Sequence, residues 1–161
     1  MKRCLAAGFT LAELISVIMI VAILMAVAVP RFVTKSGFES RGFYDQAQAV
    51  VRYAQKIAIA QRRTLYVNIT SSRLGVCYDP GCASHVPPPV AYQASELSNC
   101  ANDPNWLCVG APSGNGLSPA GTFSFDGLGR SNLPAALTVT VSGDMNRLFT
   151  VEPETGYVHP G

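Results

Sequence analysis

The sequence is poor in charge and lacks the residue patterns of common enzymes. Only 14% of its 161 residues are charged, against roughly 25% in an ordinary soluble domain. It contains no G-x-S-x-G, H-E-x-x-H, P-loop or G-x-G-x-x-G pattern, so nothing in it indicates a serine hydrolase, a zinc protease or a nucleotide-binding enzyme. We expect no enzymatic activity, no cofactor and no metal. We also expect the two histidines, His85 and His159, to be solvated loop residues.

A strong excess of charge of one sign is also lacking. Twelve Lys and Arg stand against ten Asp and Glu, a formal net charge of +2. This balance excludes a strongly basic nucleic-acid-binding protein and an acidic disordered tail. Arg130 and Arg147 are candidates for a small local basic patch, so a contact with nucleic acid stays open as an alternative.

One long segment accounts for the apolar composition. The run Phe9 to Val29 reads FTLAELISVIMIVAILMAVAV, and Glu13 is its one charged residue. As a helix this run is about 31 Å long, enough to cross the core of a bilayer. Because Lys2 and Arg3 precede it, we expect the N-terminus in the cytoplasm and the rest of the chain exported.

Two simpler interpretations compete for this run. One is a removable signal peptide with a small-residue cleavage site at Ala26-Val27-Ala28, and the other is a plain membrane anchor. Glu13 counts against both, because a carboxylate in a membrane segment costs a few kcal/mol and is rare without a partner or a function.

The residues around Glu13 form a specific motif. Gly8 to Ile15 reads GFTLAELI, which resembles the cleavage and methylation motif of type IV prepilins and type II secretion pseudopilins. The resemblance implies a leader peptide over residues 1–8, cut between Gly8 and Phe9 by a prepilin peptidase in the inner membrane. It also implies methylation of the new amine on Phe9 and a helix over residues 9–30 that first crosses the membrane and later forms the filament core.

The position of Glu13 suits assembly of such helices. In a filament, the carboxylate of one subunit can meet the Phe9 ammonium group of a neighbour, and burying an opposite-charge pair costs far less than burying either charge alone. The pair would also fix the axial register of neighbouring helices. Pro30 ends the apolar run and is expected to kink or locally break the helix.

An amphipathic helix is predicted within residues 31–63. The stretch that contains Gly37 and Gly42 should be curved or partly melted, because glycine is a poor helix residue. From Ser40 to Arg63, apolar or small residues recur at steps of four and three, which predicts a helix packed on its own domain's sheet; they are Phe43, Ala47, Val50, Ala54 and Ile57.

Residues 64–161 are predicted to form a β-rich globular domain. Two-residue alternation predicts six strands, the first two as a hairpin, at Leu65–Thr70, Leu74–Tyr78, Thr122–Phe125, Leu137–Ser142, Arg147–Glu152 and Gly156–His159. Residues 79–121 are rich in proline, show little alternation and are expected to be mostly irregular, with Trp106 and Leu107 as a local apolar anchor. The predicted fold class is α+β, a long N-terminal transmembrane helix packed on a C-terminal antiparallel β-sheet domain.

Five cysteines become four if the leader removes Cys4. An even number in an exported domain predicts two disulfides, and three connectivities are open; the residues are Cys77, Cys82, Cys100 and Cys108. We favour pairing within the first two and within the last two, because short loops close easily. A zinc site is the alternative, but the spacings differ from C-x2-C pairs and the compartment is oxidising.

A second resemblance indicates which type of pilin or pseudopilin the sequence is similar to. Arg41 to Arg63, followed by LYVNI, FSFDGLGR, LTVTVS and TGYVH, is similar to the GspH/FimT-type domain of minor pilins and pseudopilins. The helical part is similar to minor pilins of mannose-sensitive haemagglutinin (MSHA) type pili. The resemblance implies a minor pilin that assembles with other pilins, or is displayed at the tip or surface of a type IV pilus. The alternatives are a minor pseudopilin of a type II secretion system, a DNA-capturing minor pilin, and a membrane-tethered periplasmic enzyme or ligand-binding domain.

Overall fold

The structure, a computed structural model, describes residues 10–32, 35–89 and 96–161. The chain divides into two compact units, the first ending at Lys35 and the second running from Ser36 to Gly161. The first unit contains helix α1, Leu11–Phe32. Judged over the described residues alone, no helix combines the length and the hydropathy that a membrane span requires.

Helix α2, Lys35–Gln61, is longer at its start than the sequence indicates. The expectation of a melted stretch is wrong from residue 35 onward, because Gly37 and Gly42 both lie inside the helix. Packing of the neighbouring Phe43, which is fully buried, offsets the roughly 1 kcal/mol that a helical glycine costs. At the other end, Arg62 adopts a left-handed conformation with φ of 50°, and the helix stops two residues before the predicted Arg63.

Eight strands form two antiparallel sheets in the second unit. The first sheet has the order β3-β2-β1-β5 and the second β4-β6-β7-β8. The strands are β1 Leu65–Ile69, β2 Arg73–Cys77, β3 Cys108–Gly110, β4 Gly116–Ser118, β5 Gly121–Phe125, β6 Leu137–Ser142, β7 Arg147–Val151 and β8 Val158–Pro160. The α+β class is therefore confirmed, and so is the hairpin of β1 and β2, in which Val67 lies opposite Val76.

In its described part the region 79–121 is mostly irregular, as predicted, but it also has short regular elements that the sequence did not indicate. It contains β3, β4 and a short 3-10 helix over Leu97–Cys100. All three residues of β3 are buried, so the strand shows no alternation that could have revealed it. Strand β4 is only three residues long and begins with a glycine.

One hydrophobic core joins α2 to both sheets. The predicted stripe of α2 is buried from Phe43 to Ile57, and it packs on the inward residues of β1, β2, β5, β6, β7 and β8. In β6, Val139 and Val141 face this core while Thr138 and Ser142 are exposed, which confirms the predicted alternation.

Polar side chains of α2 attach the helix to the second sheet and its turns. The Tyr44 hydroxyl donates to the Leu148 carbonyl at 3.0 Å. Arg52 donates from Nε and Nη2 to the Val158 carbonyl at 3.0 and 2.9 Å. The Gln55 amide donates to the carbonyls of Gly129 and Thr155, both at 2.8 Å. These bonds fix the helix against chain segments that lie far away in sequence.

Three outer strands are covered on their open sides. In β8, the Val158 carbonyl accepts the bonds from Arg52. In β4, Leu117 N–H donates to the Ser71 carbonyl at 3.1 Å. In β5, Ser124 exchanges two bonds with Asn132, one through the Asn132 backbone and one through its side chain. These particular peptide groups, which an edge strand would present to other chains, are thus used within the unit.

Candidate functional site

Over residues 11–26, whose side chains the structure describes, helix α1 exposes apolar side chains around its circumference. Its large side chains are between 42 and 76% exposed within the chain; they are Leu11, Leu14, Ile15, Val17, Ile18, Met19, Ile20, Val21, Ile23, Leu24 and Met25. Soluble monomers rarely expose a contiguous apolar surface of this extent, and a helix that is apolar all round is normally buried in an assembly or a membrane. Helix α1 is therefore the strongest candidate for an assembly surface.

Glu13 lies in the first turn of this helix and is exposed. Its backbone N–H donates to the Thr10 hydroxyl at 3.2 Å, which makes Thr10 the helix cap. The Ser16 hydroxyl donates to the Glu13 carbonyl at 2.8 Å. A carboxylate in the first turn is favourably placed relative to the helix dipole, and the backbone around it is held by these two local bonds.

The predicted processing residues, Gly8 and Phe9, lie outside the described residues. Pro30 falls within α1, whose backbone continues as helix to Phe32. The cleavage site, the charge pair between Phe9 and Glu13, and the kink at Pro30 therefore stay predictions.

Two disulfides join Cys77 to Cys82 and Cys100 to Cys108. This is the pairing that the short loops favour, and it leaves none of these four thiols to bind zinc. With Trp106 they form a second apolar cluster, separate from the main core. Trp106 is 2% exposed, and its indole N–H donates to the Val76 carbonyl at 3.0 Å. The prediction of Trp106 as a local apolar anchor is confirmed.

His85 is not the solvated loop residue that was expected. Its ring stacks on Trp106, with centroids 4.0 Å apart and planes 5° from parallel. Its Nδ1 lies 2.8 Å from a carboxylate oxygen of Asp103, and this bond, with the N–H of Asn105, holds the pKa of Asp103 below its usual range. Sequence analysis missed the arrangement because residue 85 is distant in sequence from residues 103 and 106, which lie in the loop that the disulfide of Cys100 and Cys108 closes.

His159 is also paired rather than solvated. It lies in β8, and its Nε2 is 3.1 Å from a carboxylate oxygen of Glu152. The bond to Glu152 is the main cause that raises the pKa of His159 above its ordinary value of 6.5. Within residues 10–32, 35–89 and 96–161, no three His, Cys, Asp or Glu side chains are grouped so that they could hold a metal ion.

Arg130 belongs to a tight turn after β5. Asp126 accepts the backbone N–H groups of Leu128 and Arg130, each at 2.9 Å, and its carboxylate lies 3.2 Å from the Arg130 side chain. These bonds hold the pKa of Asp126 below its usual range, and Gly129 supplies the positive φ of 84° that the turn needs. Among the contacts of the described residues, none joins Arg130 to Arg147.

Comparisons with known proteins agree with this architecture. The sequence matches no protein-family model. Over 58 residues it is 47% identical to the type IV narrow pilus major component PilA5 of Thermus thermophilus, a match that covers 36% of this chain and 50% of that protein. The chain thus spans about half the length of this curated relative.

Two solved proteins resemble this chain at low sequence identity, and the first of them shares its fold. The type IV minor pilin FimU of Pseudomonas aeruginosa has a TM-score of 0.53 and 13% identity, over 76% of this chain and 88% of FimU. The minor pseudopilin EpsH of Vibrio cholerae has a TM-score of 0.46 and 14% identity, over 78% of this chain and 95% of EpsH. The chain is thus similar over 58 residues to a type IV pilin, and it shares its fold with a type IV minor pilin.

Proposed function

We propose that this chain is a minor pilin, a structural subunit that takes part in assembly or in tip or surface display of an MSHA-like type IV pilus. The proposal rests on the surface of α1, where eleven large apolar side chains are exposed around one carboxylate, that of Glu13. Like helices packed side by side in a filament would cover these side chains, and so gain the free energy of apolar burial. The globular unit is then left on the outside of the fibre, and no catalytic step is required.

Before assembly, the same apolar run would hold the chain in the bacterial inner membrane. The N-terminus would lie in the cytoplasm and the globular unit in the periplasm, as the flanking Lys2 and Arg3 indicate. Prepilin peptidase would cut between Gly8 and Phe9 and methylate Phe9. The mass of the mature protein tests this step, because a loss of residues 1–8 and a gain of one methyl group are expected. A product that begins at Val29 would instead be that of an ordinary secreted protein.

Glu13 is proposed to pair with the Phe9 amine of a neighbouring subunit. The experiment replaces Glu13 by Ala and measures how much of the protein enters sheared filaments. Leaving one charge of a buried pair without its partner costs about 3 to 5 kcal/mol, so incorporation should fall by about a hundredfold or more. Insertion into the membrane should not change, because the substitution removes a charge from an apolar segment.

Ser16→Ala is the matched control for this experiment. Ser16 lies on the same helix and bonds only to a backbone carbonyl one turn away, so its loss should leave incorporation close to that of the unaltered chain. If Glu13→Ala enters filaments as well as Ser16→Ala does, Glu13 has no role in assembly.

A minor pseudopilin of a type II secretion system is the close alternative, since the helix argument applies equally to it. Deletion of the gene separates the two functions. Loss of surface pili with normal protein secretion supports the pilus, whereas loss of secretion with normal pili supports the secretion system. DNA capture is a weaker alternative, because Arg130 is already paired with Asp126.

A further inference from the structure

Helix α2 forms one wall of an apolar cavity in the globular unit. The cavity has a volume of about 330 Å³, which is near the lower end of the roughly 300 to 1,000 Å³ of ligand pockets. It is lined by Ala49, Val50, Arg52, Tyr53, Lys56, Pro89 and Leu107, and is called the α2 cavity below.

Two cations stand at this cavity without a counter-charge. Between Asp45 and Asp79 the sequence has five Lys and Arg and no acidic residue. Arg52 and Lys56 are four residues apart and so share one face of α2. Among the ion pairs of the described residues, none includes either of them.

The structure holds one of these cations in place. Arg52 uses Nε and Nη2 to bind the carbonyl of Val158, a neutral group that fixes the guanidinium but does not neutralise it. The remaining N–H groups of a guanidinium are suited to a carboxylate. Lys56 is exposed and adds a second positive charge one helical turn away.

We propose that the α2 cavity binds an acidic peptide segment of another protein subunit. An apolar side chain of the segment enters the cavity against Tyr53 and Leu107, and a neighbouring carboxylate lies between Arg52 and Lys56. The proposal goes beyond a role in filament assembly, since it concerns the globular unit alone and does not involve Glu13.

A peptide fits these features better than a nucleic acid does. Binding of nucleic acid depends on many phosphate contacts and a basic surface, whereas only two cations flank this cavity and the whole chain carries a net charge of +2. Interfaces between proteins instead place an apolar anchor in a pocket and surround it with a polar rim. The α2 cavity has both parts.

The test uses the full chain in detergent micelles and three fluorescent probes. The first probe is the peptide acetyl-Glu-Phe-Glu-Phe-Glu-amide, the second is the same peptide with Gln in place of Glu, and the third is a single-stranded oligo-dT. Fluorescence anisotropy should show that the acidic peptide binds. The affinity for the Gln peptide should be at least about tenfold lower, because the Gln peptide loses one charge-assisted hydrogen bond. Oligo-dT should not compete.

Three variants locate the binding site. Lys56→Glu should weaken binding of the acidic peptide at least about tenfold, since it places a like charge beside the carboxylate. Ala49→Trp should do the same without any change of charge, because its ring would occupy the cavity. Arg62→Glu is the matched control, since Arg62 is an exposed cation near the end of α2 but does not line the cavity, and it should bind within about twofold.

Several results would overturn the proposal. The proposal is wrong if the acidic peptide does not bind, or if the Gln peptide binds as tightly as the acidic one. It is also wrong if Lys56→Glu and Arg62→Glu weaken peptide binding equally, or if Ala49→Trp binds the acidic peptide as tightly as the unaltered chain does. Binding of oligo-dT that depends on Lys56, without binding of the peptide, would assign the cavity to nucleic acid instead. None of these results bears on the Glu13 experiment, so the two proposals fail independently.

Discussion

In the second apolar cluster, the close approach of Trp106 to β2 determines which residue can occupy position 75. A Cβ at Gly75 would overlap ring atoms of Trp106, so only glycine lets the indole lie on this strand. The ring cannot easily move away, because its N–H is bonded to the Val76 carbonyl and its face is stacked on His85. Gly75 is therefore as much a part of the cluster as the cysteines are.

Gly75→Ala should lower the free energy of unfolding by about 1 to 3 kcal/mol, the usual cost of adding a group to a filled space. Gly121→Ala is the matched control, because Gly121 is also a strand residue and its added Cβ would meet no atom within 4 Å. Denaturant midpoints of the two variants measure the difference. Equal midpoints would mean that Trp106 can shift without cost.

The pair of His159 and Glu152 predicts a pH dependence of stability. Because the pKa of His159 is raised in the folded state, protonation favours folding. The contribution is complete below the unfolded value near 6.5 and is lost as the pH rises through the folded pKa. The unaltered chain should thus exceed His159→Gln in stability at pH 5, and this excess should shrink toward pH 9.

Urea unfolding at several pH values measures this excess. NMR titration of the His159 ring supplies an independent check, since Glu152→Gln should bring its pKa back toward 6.5. A pKa that is the same with and without the Glu152 carboxylate would contradict the assignment.

At the scale of elements, sequence patterns predicted those segments whose own residues carry the signal. Strand β6 was predicted with its observed bounds, because Val139 and Val141 alternate with hydroxyl residues. Strand β3 was not, since its burial on both faces removes the alternation. The end of α2 also depends on context, because the backbone of Arg62 turns where Gly127 approaches it closely. Short buried strands and helix ends are decided by tertiary contacts that no local pattern contains.

For the candidate sites, too, sequence patterns indicated only those residues that lie close together in the sequence. The GFTLAELI motif drew attention to Glu13, and the exposed apolar surface of α1 agrees with it. The α2 cavity could not be found in this way, because its lining combines α2 with Pro89 and Leu107, which are distant in sequence. The histidine pairs were missed for the same reason.

The attachment of α2 to the second sheet predicts the effect of one substitution. Gln55→Leu would leave the carbonyls of Gly129 and Thr155 without their donor; the first bond is part-buried and the second exposed, so we expect a cost of about 1 kcal/mol, the net value of an ordinary hydrogen bond. Gln61→Leu is the matched control, because Gln61 is exposed in the last turn of the same helix. Thermal unfolding should distinguish the two, and similar melting temperatures would show that water replaces the Gln55 amide.

The whole molecule consists of two units that differ in how far their apolar side chains are buried within the chain. The main core draws its residues from Phe43 to Val158, so the globular unit buries its apolar side chains without help from α1. The apolar surface of α1 has no such cover within the described contacts. The globular unit thus has a core of its own, whereas the described part of α1 contributes no residue to it.

A chain of residues 36–161 should therefore fold alone. Its denaturant midpoint should match that of the globular unit in the full chain, and both disulfides should form, because no residue of the core is removed. It should not enter filaments. Unfolding at a much lower denaturant concentration would show that α1 contributes to the stability of the globular unit.

The hydrogen bonds on the outer strands affect whether copies of the protein aggregate at high concentration. In a filament many copies would be crowded together, a condition that promotes cross-β pairing of exposed strands. Arg52, Ser71 and Asn132 each hold an outward peptide group of β8, β4 or β5, so those groups are not free to pair with a second copy.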